Sequence, residues 1–175
     1  MSLTSARIVP YRAKAYDYRS FSCGSHDLDV WLSTYAGQSE RRYESRTYIL
    51  VDDVVESREV HGYFALQNCQ IDIQQASEVR GRAPRYPMAA TLLTRLAVSC
   101  DMQGKGFGEL LLVEAMTISV RAAHLTGSFV LLVDALDENA QRFYERYGFE
   151  RFCESRRLFL PMKTIFQSVN EARKK

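Results

Sequence analysis

The stretch "RLAVSCDMQGKGFGELLLVEA", Arg95 to Ala115, sets Gly104, Gly106 and Gly108 between an apolar run that reads as a strand and another that reads as a helix. A glycine-rich turn that opens a helix lets backbone N–H groups approach a phosphate, because a Cβ would block the contact and the helix N-terminus carries partial positive charge. A single glycine is more often a tight turn that needs positive φ; three in such close order are harder to explain that way. A P-loop requires Lys followed by Ser or Thr after its last glycine, and no such pair follows Gly104 or Gly106. The dinucleotide fingerprint G-x-G-x-x-G would begin at Gly104 and Gly106 but meets Glu109 where its third glycine belongs.

Working outward, "AATLLTRLAV" before the glycines is nearly all apolar, as a central strand covered on both faces would be, with Arg95 as its one charge. After them "ELLLVEAMTISVRAAH" is apolar over most of its circumference, which predicts a deeply packed helix. "SFVLLVDAL" reads as a buried strand, and "DENAQRFYERYGF" as a short helix capped by Asp137 and stopped by Gly148. "RRLFLPMKTIF" reads as a last strand and "QSVNEARKK" as a solvated tail. Towards the N-terminus, "ARIVPYR" reads as an edge strand. In "FSCGSHDLDVWLSTYAGQ", Ser25 or Asp27 can cap a helix that buries Leu28, Trp31, Leu32, Tyr35 and Ala36 and leaves Asp27, Asp29 and Ser33 outside. "RTYILVDD" and "VHGYFALQNCQIDI", separated by the acidic "DDVVESRE", predict an antiparallel pair, and "QQASEVRGRAPRYP" reads as a linker that is loop at least in part. Early strands followed by alternating strands and helices predict a mixed α/β domain around one sheet.

The bulk numbers set bounds. A chain of 175 residues, 46% hydrophobic and 25% charged, predicts one globular domain, assigned to residues 1–166 with 167–175 as the tail. A net charge of +2 is far from that of a nucleic-acid coat protein, so a polyanion partner must use a local patch. Cys23, Cys69, Cys100 and Cys153 are scattered without zinc spacing, and His26, His61 and His124 are out of helical reach of one another, so no metal is expected. With no membrane-length apolar run and no signal-like N-terminus, the expected location is cytoplasmic.

What remains of the glycine motif is Q-x-x-G-x-G at Gln103, Gly106 and Gly108. It resembles the acyl-coenzyme A pyrophosphate loop of the GNAT acyltransferase superfamily, placed between the fourth strand and the following helix. "DALDENAQRFYERYGF" resembles the family's second hallmark, with Asn139, Phe143, Tyr144, Gly148 and Phe149, although Ala140 directly follows Asn139 and departs from the usual spacing. The resemblance implies the GNAT fold, a bent, mixed and mainly antiparallel sheet flanked by helices, with acetyl-CoA as acyl donor. It implies that Gln103, Gly104, Lys105, Gly106, Phe107 and Gly108 hold pyrophosphate, and that backbone groups of Leu96, Ala97 and Val98 bond the pantetheine arm. Asn139 and Phe143 would line the cofactor's far side. Phosphate contacts alone would fall short: micromolar affinity needs about 8 kcal/mol, and a helix terminus contributes at most about 2.

The same resemblance makes Tyr144 the acid that protonates the departing thiolate, a phenol of pKa about 10 being able to donate to a thiolate of similar basicity. Apart from the resemblance, an aromatic residue on a short helix beside a core is more often packing. "TLLTRLAV" carries no acid to serve as general base, which favours an α-amine, near pKa 7.7–8.0, over a lysine side chain near 10.4; Glu109, Asp101 or a water chain remain as bases. Cys100 as nucleophile is the mechanistic alternative. "FSCGSHDLDVWL", "RAPRYPMAATLLTRLAVSCDMQGKGFGELLL" and "RLFLPMKTI" resemble the acetyltransferase toxins of bacterial toxin–antitoxin pairs. Those acetylate the α-amine of aminoacyl-tRNA, are neutralised by a ribbon-helix-helix antitoxin and are commonly dimers. By that likeness Arg80, Arg82, Arg85 and Arg95 face the tRNA acceptor stem. The alternatives are an enzyme acetylating a small amine, a peptide or a protein N-terminus, and a non-catalytic module that binds coenzyme A.

Overall fold

The computed structural model describes residues 6–53, 57–153 and 155–172; Val54–Glu56 of the acidic connection and the last three residues of the tail lie outside them. Among the described residues seven strands, β1 (Ala6–Pro10), β2 (Arg46–Asp52), β3 (Val60–Ile71), β4 (Met88–Val98), β5 (Val130–Asp134), β6 (Glu150–Arg151) and β7 (Arg157–Pro161), form one sheet in the order β1-β2-β3-β4-β5-β7-β6, and the chain divides into two compact units, residues 1–67 with 95–115 and residues 68–94 with 116–175. No described helix is long and apolar enough to cross a membrane.

In the first unit β1 (Ala6–Pro10) pairs antiparallel with β2 (Arg46–Asp52), which pairs antiparallel with the start of β3 (Val60–Ile71). Pro10 is tolerated because β1 ends the strand order, as its sequence implied. The β2–β3 register slips between Leu50, opposite Gly62, and Val51, opposite Val60, so His61 is an extra, bulged residue. Its carbonyl accepts the Ser99 amide at 2.9 Å, just past the end of the neighbouring strand β4 (Met88–Val98). A Cβ on Gly62 would come within 2.9 Å of both the Ala97 carbonyl oxygen and Leu111 Cδ1, so a glycine is what allows this close approach.

The expected N-terminal helix is present but not regular: α1 (His26–Val30) runs into a π-helical stretch, Trp31–Tyr35, and then α2 (Ala36–Arg41). Ser25 holds the N-cap position without a side-chain cap bond. Trp31, Leu32 and Ala36 are buried as expected, but Tyr35, at the end of the wider turn and expected inside, is 49% exposed. Asp29, expected to be merely solvated, accepts the Cys23 amide at 2.9 Å. Tyr63 lies stacked on Trp31 at 5.7 Å and edge-on to Phe21 at 5.5 Å, and its hydroxyl donates to the Leu28 carbonyl at 2.9 Å. This aromatic cluster, with Leu32, Ile49 and Val51, is the unit's core.

In the second unit β4 and β5 (Val130–Asp134) pair in parallel over Thr91–Leu93 and Leu131–Val133, and β7 (Arg157–Pro161) pairs antiparallel with β5. A two-residue strand, β6 (Glu150–Arg151), completes the sheet at β7. Phe152 and Phe159, 4.5 Å apart, join Ile71, Val130 and Leu132 in its core.

Three expectations change. Residues 74–80 of the predicted linker, with Ile73 from the end of the predicted strand, form α3 (Ile73–Arg80): Asp72 accepts the Gln75 amide at 2.8 Å and Gly81, at φ +73°, ends the helix. Cap and stop were present in the sequence, but only Ala76 is buried, so the apolar period was too weak to display the helix. The last strand stops at Pro161, and Met162–Ala172 form α6 rather than strand and tail; Met162 and Ile165, one turn apart, are its buried anchors. The long helix α4 (Phe107–Thr126) buries a stripe, Leu111, Leu112, Ala115, Met116, Ser119 and Val120, while Leu110 and Val113 are 41% and 42% exposed, so it is not buried all round.

Candidate active site

Within the first unit, β4 ends at Val98, a 3-10 turn spans Cys100–Met102, and the chain enters α4 at Phe107. Gly104 and Gly106 have φ of +72° and +86°, and a Cβ on either would meet nothing within 4 Å. These glycines therefore answer to backbone conformation and to an open space, not to packing. Gly108 differs, lying in the first turn of α4, where an ordinary helical backbone holds it. The Gly106 carbonyl accepts the Leu110 amide at 3.1 Å, so the amides of Phe107, Gly108 and Glu109 are the helix's orphan donors. Gln103, Gly104, Lys105 and Gly106 are exposed, so these donors and the partial positive charge behind them border an open cradle. A pyrophosphate fits this arrangement.

Gln103 has a role its motif position did not disclose. Its Nε2 donates to the Cys23 carbonyl at 2.9 Å and to the Val98 carbonyl at 3.0 Å, bracing the turn against a segment eighty positions away in sequence. Gln103→Ala removes both bonds and is expected to weaken cofactor binding by up to about 30-fold, at roughly 1 kcal/mol per bond; calorimetry with coenzyme A checks this.

The three backbone positions assigned to the pantetheine arm separate. The Ala97 carbonyl is turned to Gly62 and the Ser99 amide to His61, so these residues spend their polar groups on β3. Strand alternation turns Leu96 and Val98 to the opposite edge, and the Val98 carbonyl is held there by Gln103. The parallel register with β5 ends at Leu93, and β4 runs on to Val98.

Arg95 lies in this unit with its guanidinium 4.5 Å from the centroid of Trp31, and burial pulls its pKa below the ordinary arginine value. Arg80, Arg82 and Arg85 belong to the other unit, Arg80 at the end of α3 and the others on the loop after Gly81, all exposed. Glu78 beside them accepts the Cys153 amide at 2.9 Å.

In the second unit α5 (Glu138–Arg146) is capped by Asp137, which accepts the Ala140 amide at 2.8 Å, and the chain leaves it through Gly148 at φ +87°. Asn139 and Phe143, one turn apart, border a depression of about 710 Å³ together with Arg142, Glu145 and Arg146. Arg142 donates to Asn139 Oδ1 at 2.8 Å, and the Arg146 guanidinium lies 5.9 Å from the Phe143 ring, so two cations accompany the predicted pair. Tyr144 faces inward, edge-on to Phe143 and Phe149 at 5.2 and 5.6 Å, and is 7% exposed. Burial alone pushes its phenol well above the usual 10, so it is fully protonated at neutral pH.

Other candidates fare less well on these grounds. Burial first, then Asp29, pushes the Cys23 thiol up to about 11, which removes it as a thiolate; Cys100 is exposed. Ser99 holds the Asp101 carboxyl below the ordinary range, which makes Asp101 a weak base. Glu59, His61 and Asp101 place metal-ligating atoms within 4.8 Å of one another, with both carboxylates solvated.

The sequence profile of the acetyltransferase (GNAT) domain matches residues 44–151. The chain is 35% identical over 137 residues to the tRNA-acetylating toxin of Mycobacterium tuberculosis (strain ATCC 25618 / H37Rv), covering 78% of this chain and 80% of that protein. AtaT complexed with acetyl-methionyl-tRNAfMet superposes with a TM-score of 0.85 at 28% identity, covering 94% of this chain and 99% of that one. A tyrosine-to-phenylalanine mutant of the toxin AtaT, bound to the C-terminus of the antitoxin AtaR and to acetyl-CoA, superposes with a TM-score of 0.82 at 28% identity, covering 94% and 98%. A glycine-built amide cradle at the head of a buried-stripe helix, a mixed and mainly antiparallel seven-stranded sheet and these likenesses agree: the chain belongs to the GNAT acetyltransferase family.

Proposed function

We propose that this protein is an acetyltransferase toxin that moves the acetyl group of acetyl-CoA onto the α-amine of an aminoacyl-tRNA, and that an antitoxin of the ribbon-helix-helix class restrains it. The observation that carries the reading is the open cradle at Gly104–Gly108, braced by Gln103. The orphan amides of Phe107, Gly108 and Glu109 hold pyrophosphate. Leu96 and Val98 offer the edge along which the pantetheine arm lies. Asn139 and Phe143 are the second unit's candidates for the cofactor's far side.

Tyr144 holds the proton that sulfur needs. The lone pair of a neutral amine forms the new carbon–nitrogen bond as the carbon–sulfur bond breaks, and the phenolic proton passes to sulfur. The ammonium loses its proton to solvent, and Tyr144 is reprotonated from water. A phenol raised by burial is a weak acid in water. A thiolate in the same apolar surroundings is destabilised alike, so the transfer remains near balance. A β4 without an acid suits an α-amine, which is already partly neutral at pH 7.

Arg80, Arg82 and Arg85 pair with acceptor-stem phosphates through their planar, multi-donor heads. Arg95, used by no described ion pair and stacked over Trp31, is the guanidinium that the first unit offers to RNA. Such a substrate places the protein in the cytoplasm.

Incubation with acetyl-labelled acetyl-CoA and charged total tRNA tests this reading. Label should appear in RNA only when the RNA carries an amino acid, and mild alkali should release it as N-acetylamino acid. Label passing instead to free amines or peptides would identify an ordinary metabolic acetyltransferase, and acetyl-CoA bound without turnover would identify a binding module.

A further inference from the structure

We propose a second RNA contact in the first unit: a pocket between the segment after β1 and the face of the π-turn and α2, which takes one unpaired nucleotide of the substrate RNA. The proposal rests on the reading that the substrate is a tRNA. The pocket encloses about 700 Å³, within the range of small-ligand clefts and ample for a nucleotide. Its walls carry Tyr11, Tyr16, Lys14, Arg19, Arg41 and Arg58. Against these cations stands Asp17, whose carboxylate accepts the Arg19 amide at 3.2 Å. Tyr11 stacks on Tyr18 at 4.6 Å and 24°, with Tyr16 edge-on to Tyr18 at 6.4 Å.

The pocket is held in shape by bonds that leave its charges outward. Gly37 interrupts good helix-forming sequence in α2, and a Cβ there would come within 2.9 Å of the Tyr11 hydroxyl, so the glycine makes room for that phenol. Lys14 sits at φ +63°, a left-handed conformation uncommon for a residue with a side chain. Arg58 fixes it there, donating from Nη2 to the Lys14 carbonyl at 2.6 Å and from Nε to the Ala15 carbonyl at 3.3 Å. Tyr18 ties the same loop by donating to the Arg12 carbonyl at 2.7 Å. Arg58 is thus spent on backbone, while Lys14, Arg19 and Arg41 remain exposed. Rings for a planar base beside cations for its phosphate, on a loop already ordered, are what a single-stranded nucleotide requires.

The test uses the full chain and a labelled RNA minihelix with a single-stranded 3′ end, read by fluorescence anisotropy at two salt concentrations, with acetyl-CoA affinity measured in parallel. Lys14→Gly suits the positive φ and removes one charge, so it keeps the fold; Arg41→Gln removes another. Each is expected to weaken RNA binding about threefold to tenfold and to reduce the salt slope by about one, with acetyl-CoA affinity unchanged. Gly37→Ala, which displaces Tyr11, should weaken RNA binding without changing the slope. Parent chain that binds the minihelix while all three variants bind it equally well would overturn the pocket alone. Parent chain that binds no RNA would overturn the tRNA reading and the pocket with it. Variants that keep RNA affinity but lose binding to poly-glutamate would make the pocket an acidic-peptide site and overturn the proposal.

Discussion

Tyr144→Phe should leave acetyl-CoA affinity and thermal stability unchanged and lower turnover by at least about 100-fold, the range over which a positioned general acid acts. The substitution removes one oxygen from a side chain enclosed by Phe143 and Phe149, so packing survives. Burial raises the pKa of its phenol, so the hydroxyl is protonated and available as a donor at neutral pH. Calorimetry with acetyl-CoA and a thiol-release assay separate the two quantities. A variant that binds and turns over like the parent would remove Tyr144 from the chemistry and return it to packing. If the acid is some other group, the loss should appear there instead, and Cys100→Ala supplies the comparison.

Gly106→Val should abolish detectable acetyl-CoA binding at micromolar concentration, a loss of about 30-fold or more, since the helix-terminus contribution of up to about 2 kcal/mol disappears with the cradle. At φ +86° a β-branched residue is strained, and the turn must change its path to accept one. Nothing lies within 4 Å of the new Cβ, so no core contact is broken and the cost stays local. A melting temperature close to the parent's together with lost binding is the expected pair of results. Gly108→Ala is the informative control, because that position lies inside α4, where alanine is the better helix former by about 1 kcal/mol. Weaker binding there would report close approach of the phosphate rather than turn geometry. Normal binding by Gly106→Val would move the site elsewhere.

The glycine turn, the capped α5 and the strand pair β2 and β3 were readable because each is a local demand: a positive φ, a cap three residues from its donor, a run of aromatic and branched residues. The helix α3 shows where that legibility fades. Its cap at Asp72 and stop at Gly81 are sequence signals, but a helix that buries only Ala76 displays almost no apolar period. At the chain's end the run "LFLPMKTIF" hid a change of element at Pro161, because buried strand and buried helix are both simply apolar over a few residues. Tyr35 was misassigned for a different reason: it closes a π turn, whose wider path departs from the α-helical period, and no composition marks such a turn.

The sequence alone determined where the chain must turn, which amides a helix start leaves without partners, and which family pattern the turn follows, because those properties belong to a few adjacent residues. Only the tertiary structure decided that Gln103 braces the turn through the carbonyls of Cys23 and Val98, that Ala97 faces β3 while Leu96 and Val98 face away, and that Trp31 lies under Arg95. Those outcomes depend on register and on contacts between segments far apart in the chain. A one-residue slip would reverse every strand face, and nothing in a short window of sequence fixes it.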